Sequence, residues 1–231
     1  MKSTILNLHK KFWIQFEYDV TKIVAFAINK LVINEKVLPL NEDEINRRLL
    51  FYLREANFEL LKSSTIYSDL PPIYECSNQP IDDKERERKK WENKRPDFQF
   101  QKTDIYSTNP KNSTKYYVIE CKRLGRPSSN DWILNLNYVM NGIKRFISDD
   151  WRYGQGSPSG LMIGYIQNME VDEIYYEIAD NIKKYSLPSL TVLKGNCDTI
   201  KYKYSHLLTR NFELSKFTLN HIWIDIRDKY V

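Results

Sequence analysis

The sequence predicts an α/β fold: a mixed central β-sheet flanked by helices on both faces. Three observations lead there. Long stretches near residues 8–33 and 171–185 carry apolar residues at helical spacing. Short runs near 97–101, 115–122 and 161–166 are rich in aromatic and β-branched residues and are bounded by turn-forming segments. The two kinds of segment are interleaved in the order α-α-β-β-α-β-α-β, which suits a sheet covered on both sides.

Each element has its own reason. Val20, Ile23, Val24, Ala27 and Leu31 define the stripe of the first helix. Pro39 and Asn41 interrupt the chain, and Asn41 with Glu44 three residues on has the pattern of a capping box. Ile45, Leu49, Leu50 and Leu53 continue a second helix to about Asn57. Residues 63–82 hold Pro71, Pro72 and Pro80 and read as loop, with a short strand near Ile73 and Tyr74. Lys84 to Arg95 contains seven Lys or Arg and three Glu, the composition of a solvated helix or arm. Residues 97–101 and 115–122 form a β-hairpin around a Ser/Asn/Pro loop. A helix over 131–147, a buried strand over 161–166 and a helix over 171–185 follow, and 190–193, 202–208 and 217–226 read as strands.

The 231 residues suit a single domain with a sizeable core. A motif-bearing core of about 40–168 is expected, with the first helix and the C-terminal strands as additions. A composition of 42% hydrophobic and 28% charged residues excludes a wholly disordered chain. No apolar run approaches the ~20 residues of a membrane span, and Ile23–Ile28 is too short and too far along for a secretory signal. A cytoplasmic protein is expected. The net charge of +5 permits an acidic partner without requiring one. Cys76, Cys121 and Cys197 are odd in number and widely spaced, so neither a disulfide framework nor a zinc motif is expected. His206 and His221 read as hydrogen-bonded structural residues. Gly154-Gln155-Gly156 lacks the Gly-Lys-Ser/Thr ending of a phosphate loop.

One segment carries chemistry. Three Glu-x-Lys triplets occur, and two lie in the charged run. The third, Glu120-Cys121-Lys122, ends the apolar run Tyr116–Ile119. In a strand, residues two apart share a face, so Glu120 and Lys122 point one way and Cys121 the other. Asp97 opens the partner strand, and pairing brings its carboxylate toward Glu120. Two adjacent carboxylates repel unless a cation lies between them. Hard oxygen donors and a few waters suit Mg²⁺. A lysine beside them can act on the attacking water or on a phosphate.

Pro96-Asp97 followed, after 22 residues, by Glu120-x-Lys122 resembles the PD-(D/E)xK nucleases, the superfamily of restriction endonucleases. The resemblance spans roughly residues 40–168 and implies a restriction-endonuclease-like sheet. It also implies a metal-dependent DNA endonuclease using Mg²⁺, with Mn²⁺ as a substitute. Asp97 and Glu120 would hold the metal and Lys122 would serve catalysis. The preceding helix often adds an acidic residue, which places Glu44 first as catalytic residue and metal ligand, with Glu42 and Asp43 as rivals. Tyr138–Phe146 is similar to the helix flanking such sites, which makes Asn141, Lys144 and Arg145 candidates for nucleic-acid contact. Arg123 and Arg126 are further candidates. The Gln-x-x-x-Tyr of the RecB-like branch is absent. The resemblance further implies bacterial defence against foreign DNA, in a restriction or anti-phage system, with a homodimer and a partner protein both compatible. The competing classes are a non-catalytic nucleic-acid-binding module of the same fold, a structure-selective repair nuclease, and an RNA nuclease. Alanine at Lys122 is expected to abolish cleavage and spare folding.

Overall fold

The computed structural model describes residues 2–81, 87–193, 200 and 202–229. Among them are four α-helices: α1 (Lys2–Asn34), α2 (Glu42–Lys62), α3 (Leu134–Met140) and α4 (Val171–Lys184). The strands among the described residues are β1 (Ile73–Tyr74), β2 (Phe98–Thr103), β3 (Thr114–Leu124), β4 (Ser159–Ile166), β5 (Thr191–Val192), β6 (Tyr202–Thr209) and β7 (Lys216–Asp225). They form one mixed seven-stranded sheet in the order β1-β2-β3-β4-β7-β6-β5. β3, β4 and β7 run parallel in the middle, and the outer pairings are antiparallel.

Alternation along the central strands makes two cores. Tyr117, Ile119 and Cys121 of β3 pack with Leu161, Ile163 and Tyr165 of β4 against α1 and α2. Val118 and Leu124 point to the other face, where Met162 and Ile166 meet α3 and α4. β4 is buried at all eight positions, as expected of a parallel strand covered on both faces. On α1, Phe16, Val20, Ile23, Val24, Ala27, Ile28 and Leu31 are fully buried, one stripe at helical spacing. On α4 the stripe is Val171, Ile174, Ile178 and Ile182. No helix among the described residues is long and apolar enough to cross a membrane.

The outline follows the sequence reading, with four differences. The first helix and the C-terminal strands, expected as additions to the motif-bearing core, pack onto or into the same sheet. α1 packs directly over the sheet, and β7 lies between β4 and β6. The helix expected over 131–147 is split into α3 and a 3₁₀ turn at Ile143–Phe146. Gly142 separates them. A Cβ there would stand 2.4 Å from the Tyr138 carbonyl oxygen and 2.5 Å from Met162 Cε, so only glycine lets the chain pass. The charged run forms a 3₁₀ turn at Lys90–Asn93 around buried Trp91, and Lys84 to Arg86 lie outside the described residues, as does Cys197. Finally, Asn41 does cap α2, but its side chain accepts from the backbone N–H of Asp43, 2.9 Å away.

Candidate active site

The β2–β3 register builds the site. Phe98 pairs with Ile119, so Asp97 and Glu120 sit at the adjoining end of the two strands. Asp97 Oδ2 accepts the backbone N–H of Cys121 at 2.6 Å, which fixes the carboxylate beside β3. Burial pushes the Asp97 carboxyl well above the usual carboxylate range, the Glu120 charge pushes it further, and the Lys122 ammonium opposes both.

Glu120 is fully buried. Its Oε1 forms an ion pair with Lys122 Nζ at 2.8 Å and accepts from the Arg145 guanidinium. Its Oε2 is buried with no hydrogen-bond partner among the described residues. A carboxylate oxygen left bare inside a protein is costly, and a water or a cation would offset that cost. Lys122 Nζ also donates to Glu42 Oε1 at 2.7 Å and to the Cys121 carbonyl at 2.6 Å. Burial alone would lower the Lys122 pKa, but Glu120, Asp97 and Glu42 together outweigh it and push it upward. Lys122 is thereby held as a charged ammonium. Cys121 points into the opposite core, where burial pushes its thiol up.

The acidic residue supplied by α2 is Glu42. Its Oε1 meets Lys122, and its Oε2 accepts the backbone N–H of Arg123 at 3.0 Å. Glu44 is exposed and takes no part in the cluster. Residues two apart on a helix point about 200° apart, so once Glu42 faces the sheet, Glu44 must face away. Asp43 is exposed too. The carboxylate of Glu42 also lies in the first turn of α2, where the helix dipole favours it.

Two cations, Lys122 and Arg145, pair with these carboxylates, and the Arg123 side chain lies beside them. Arg145 sits over Trp151, its guanidinium carbon 3.9 Å from the ring centre, and pairs with Glu120. Arg123 donates to the Leu40 carbonyl at 3.2 Å. The cluster opens to a cleft of about 200 Å³ whose walls include Glu42, Lys122, Arg123, Trp132, Asn141 and Arg145. Lys144 does not reach it; its ammonium lies 5.3 Å over the Tyr185 ring. Arg126 is exposed beyond the cleft wall, and its backbone N–H binds Asn168 Oδ1 at 2.8 Å.

Sequence reasoning missed Trp132 and Asn137 in the cleft wall, and Trp151 beneath Arg145. Trp132 lies in a polar loop and Trp151 in another, with no periodicity to mark either. His206 and His221 lie elsewhere, ring against ring at 5.5 Å between β6 and β7. His221 Nδ1 bonds the Tyr138 hydroxyl at 2.8 Å, and His206 Nε2 meets the Pro188 carbonyl.

Among the described residues, no group of three or more His, Cys, Asp and Glu side chains is gathered as a metal cage. Mg²⁺ asks for less: one or two carboxylates and several waters. Asp97 and the bare Oε2 of Glu120 fit that requirement in donor type. No family model matches the chain, and neither a curated protein nor a solved structure matches it.

Proposed function

We propose that the chain is a Mg²⁺-dependent nuclease with a restriction-endonuclease-like core that hydrolyses phosphodiester bonds in DNA. The observation that carries the reading is the meeting of Asp97, Glu120 and Lys122 at one strand end, with a buried Glu120 oxygen that has no hydrogen-bond partner among the described residues. The mixed sheet, with helices on both faces and the motif on neighbouring strands, is the setting that such a site needs. Defence against foreign DNA rests on the sequence resemblance alone.

In this reading Asp97 and Glu120 hold the metal. When bound, it neutralises the crowded carboxylates, draws charge from the phosphate and lowers the pKa of a bound water. The chain's own residues do the rest. Lys122, held protonated by its carboxylate neighbours, presents a fixed positive charge to a phosphate oxygen as negative charge builds there. Glu42 fixes the Lys122 ammonium and, through the Arg123 N–H, the end of β3. Arg123 on the cleft wall faces the phosphate backbone. In the reaction a water oxygen bonds to phosphorus and the opposite P–O ester bond breaks, the leaving oxygen gaining a proton.

A second reading has its own support. Lys122 and Arg145 already neutralise one Glu120 oxygen, as they would in a module that binds nucleic acid without cutting it. Incubating linear duplex, single strand, junction and RNA with the protein in Mg²⁺ and in EDTA separates the two. Cleavage of DNA in Mg²⁺ that stops in EDTA is the expected result. Binding without cleavage in Mg²⁺ or Mn²⁺ would favour the module, and cleavage confined to RNA or to junctions would change the substrate.

A further inference from the structure

We infer that the outer wall of the cleft, built by Trp132, Asn137 and Asn141, is a subsite for an unpaired nucleobase beside the phosphate that is cut. This rests on the nuclease reading and names its substrate: DNA that is single-stranded or locally unpaired at the cleavage point.

Three observations carry it. Trp132 shares the cleft with Lys122 and Glu42, yet 49% of its surface is open to solvent. Its backbone is tied down: Ser128 N–H donates to the Trp132 carbonyl, and Trp132 N–H donates to the Ser129 carbonyl, both at 3.1 Å. A large apolar ring held by a tight turn over a polar cleft is a stacking platform, not part of a core. Second, Asn137 and Asn141 stand one helical turn apart on the same wall, joined by a 2.7 Å bond from Asn141 Nδ2 to Asn137 Oδ1. Asn137 Nδ2, which this bond does not use, is buried and has no partner among the described residues. Carboxamides carry both donors and acceptors and match the edges of bases. Third, the cleft of about 200 Å³ is on the scale of one planar ring.

Stacking decides the substrate class. A base inside a duplex has both faces covered by its neighbours, so Trp132 can meet only a base that has left the stack. The cations at the floor of the cleft then take the phosphate of the same nucleotide, and the carboxamides meet the base edge.

The test measures binding in EDTA, where no strand is cut. A labelled 12-nucleotide DNA strand and a blunt hairpin duplex of equal length are titrated with wild type, Trp132→Ala, Trp132→Phe and Asn141→Ala, and thermal melts check each fold. Wild type is expected to prefer the single strand. Trp132→Ala is expected to weaken that binding by roughly 5- to 150-fold, the effect of one lost stacked base, with little change for the duplex. Trp132→Phe should recover most of the affinity, and Asn141→Ala should lose less and unequally among bases. Equal affinity of Trp132→Ala and wild type for the strand, a wild-type preference for the duplex, or no binding of either probe would overturn the subsite. Cleavage is scored separately in Mg²⁺: cutting that ignores Trp132 contradicts the subsite alone, whereas Trp132-dependent binding with no cutting contradicts the nuclease reading.

Discussion

Lys122 is the residue on which the site's charges balance. It touches Glu120 and Glu42 directly and offsets Asp97, so its removal leaves buried carboxylates without their counter-ion. Lys122→Ala is therefore expected to cost stability as well as activity, by roughly 3–5 kcal/mol, the usual effect of breaking a buried pair. A urea melt checks it, and the sequence expectation of a fully spared fold is replaced by this one. Asp97→Asn should behave in the opposite way. An asparagine oxygen can still accept the Cys121 N–H, while the repulsion from Glu120 disappears. Without metal the variant is expected to be more stable by about 1 kcal/mol, a rise of ~2–4 °C in Tm, and Mg²⁺ should raise the Tm of wild type but not of the variant. Glu42→Gln is expected to lower cleavage at least tenfold and Glu44→Gln to leave it unchanged, since only Glu42 reaches Lys122. The choice between these two was not legible from sequence. Both follow the cap at Asn41, and only the angle at which α2 meets the sheet decides which one faces β3.

Elements were legible wherever a local period governed them. The stripes on α1 and α4 and the apolar run of β3 announce themselves, and the hairpin that brings Asp97 to Glu120 follows from its two strands and their turn. The break between α3 and the following 3₁₀ turn was not legible. A single glycine inside a helical pattern is ordinarily tolerated, and here the deciding contact comes from Met162 on β4. Gly142→Ala is expected to destabilise the fold by about 1–3 kcal/mol through overpacking against the Tyr138 carbonyl. The same change should displace Arg145 three residues on and lower activity beyond what the stability loss explains. Measuring cleavage well below the variant's Tm separates the two effects.

At the scale of the whole molecule, the sheet order is the feature that sequence reasoning could not supply. β7, the last strand, pairs with β4 in the middle, a non-local pairing with no local signal. It also places His221 beside His206 in the core. Burial lowers both pKa values; the Pro188 carbonyl partly opposes this at His206, and positive charge on His206 would further disfavour charge on His221. Unfolded histidines take up protons from about pH 6.5 downward while the folded ones do not. The stability these residues contribute is therefore present above that pH and is lost as the pH falls below it. Asp97 has the opposite sign, because its raised pKa lets the folded state bind a proton first. Measured in the Asp97→Asn background, the denaturation midpoint is expected to fall between pH 7 and pH 5, and to fall less in a His206→Gln variant.

We propose that the Asp97, Glu120 and Lys122 cluster cuts phosphodiester bonds with a divalent metal. The most direct test incubates supercoiled plasmid with wild type and with Asp97→Asn, each in Mg²⁺, Mn²⁺ and EDTA, the variant's fold being verified by its melt. Nicking or linearisation by wild type in Mg²⁺, absent in EDTA and absent with Asp97→Asn, is the predicted result. Equal cleavage by the variant, or none by wild type with either metal, would contradict the account.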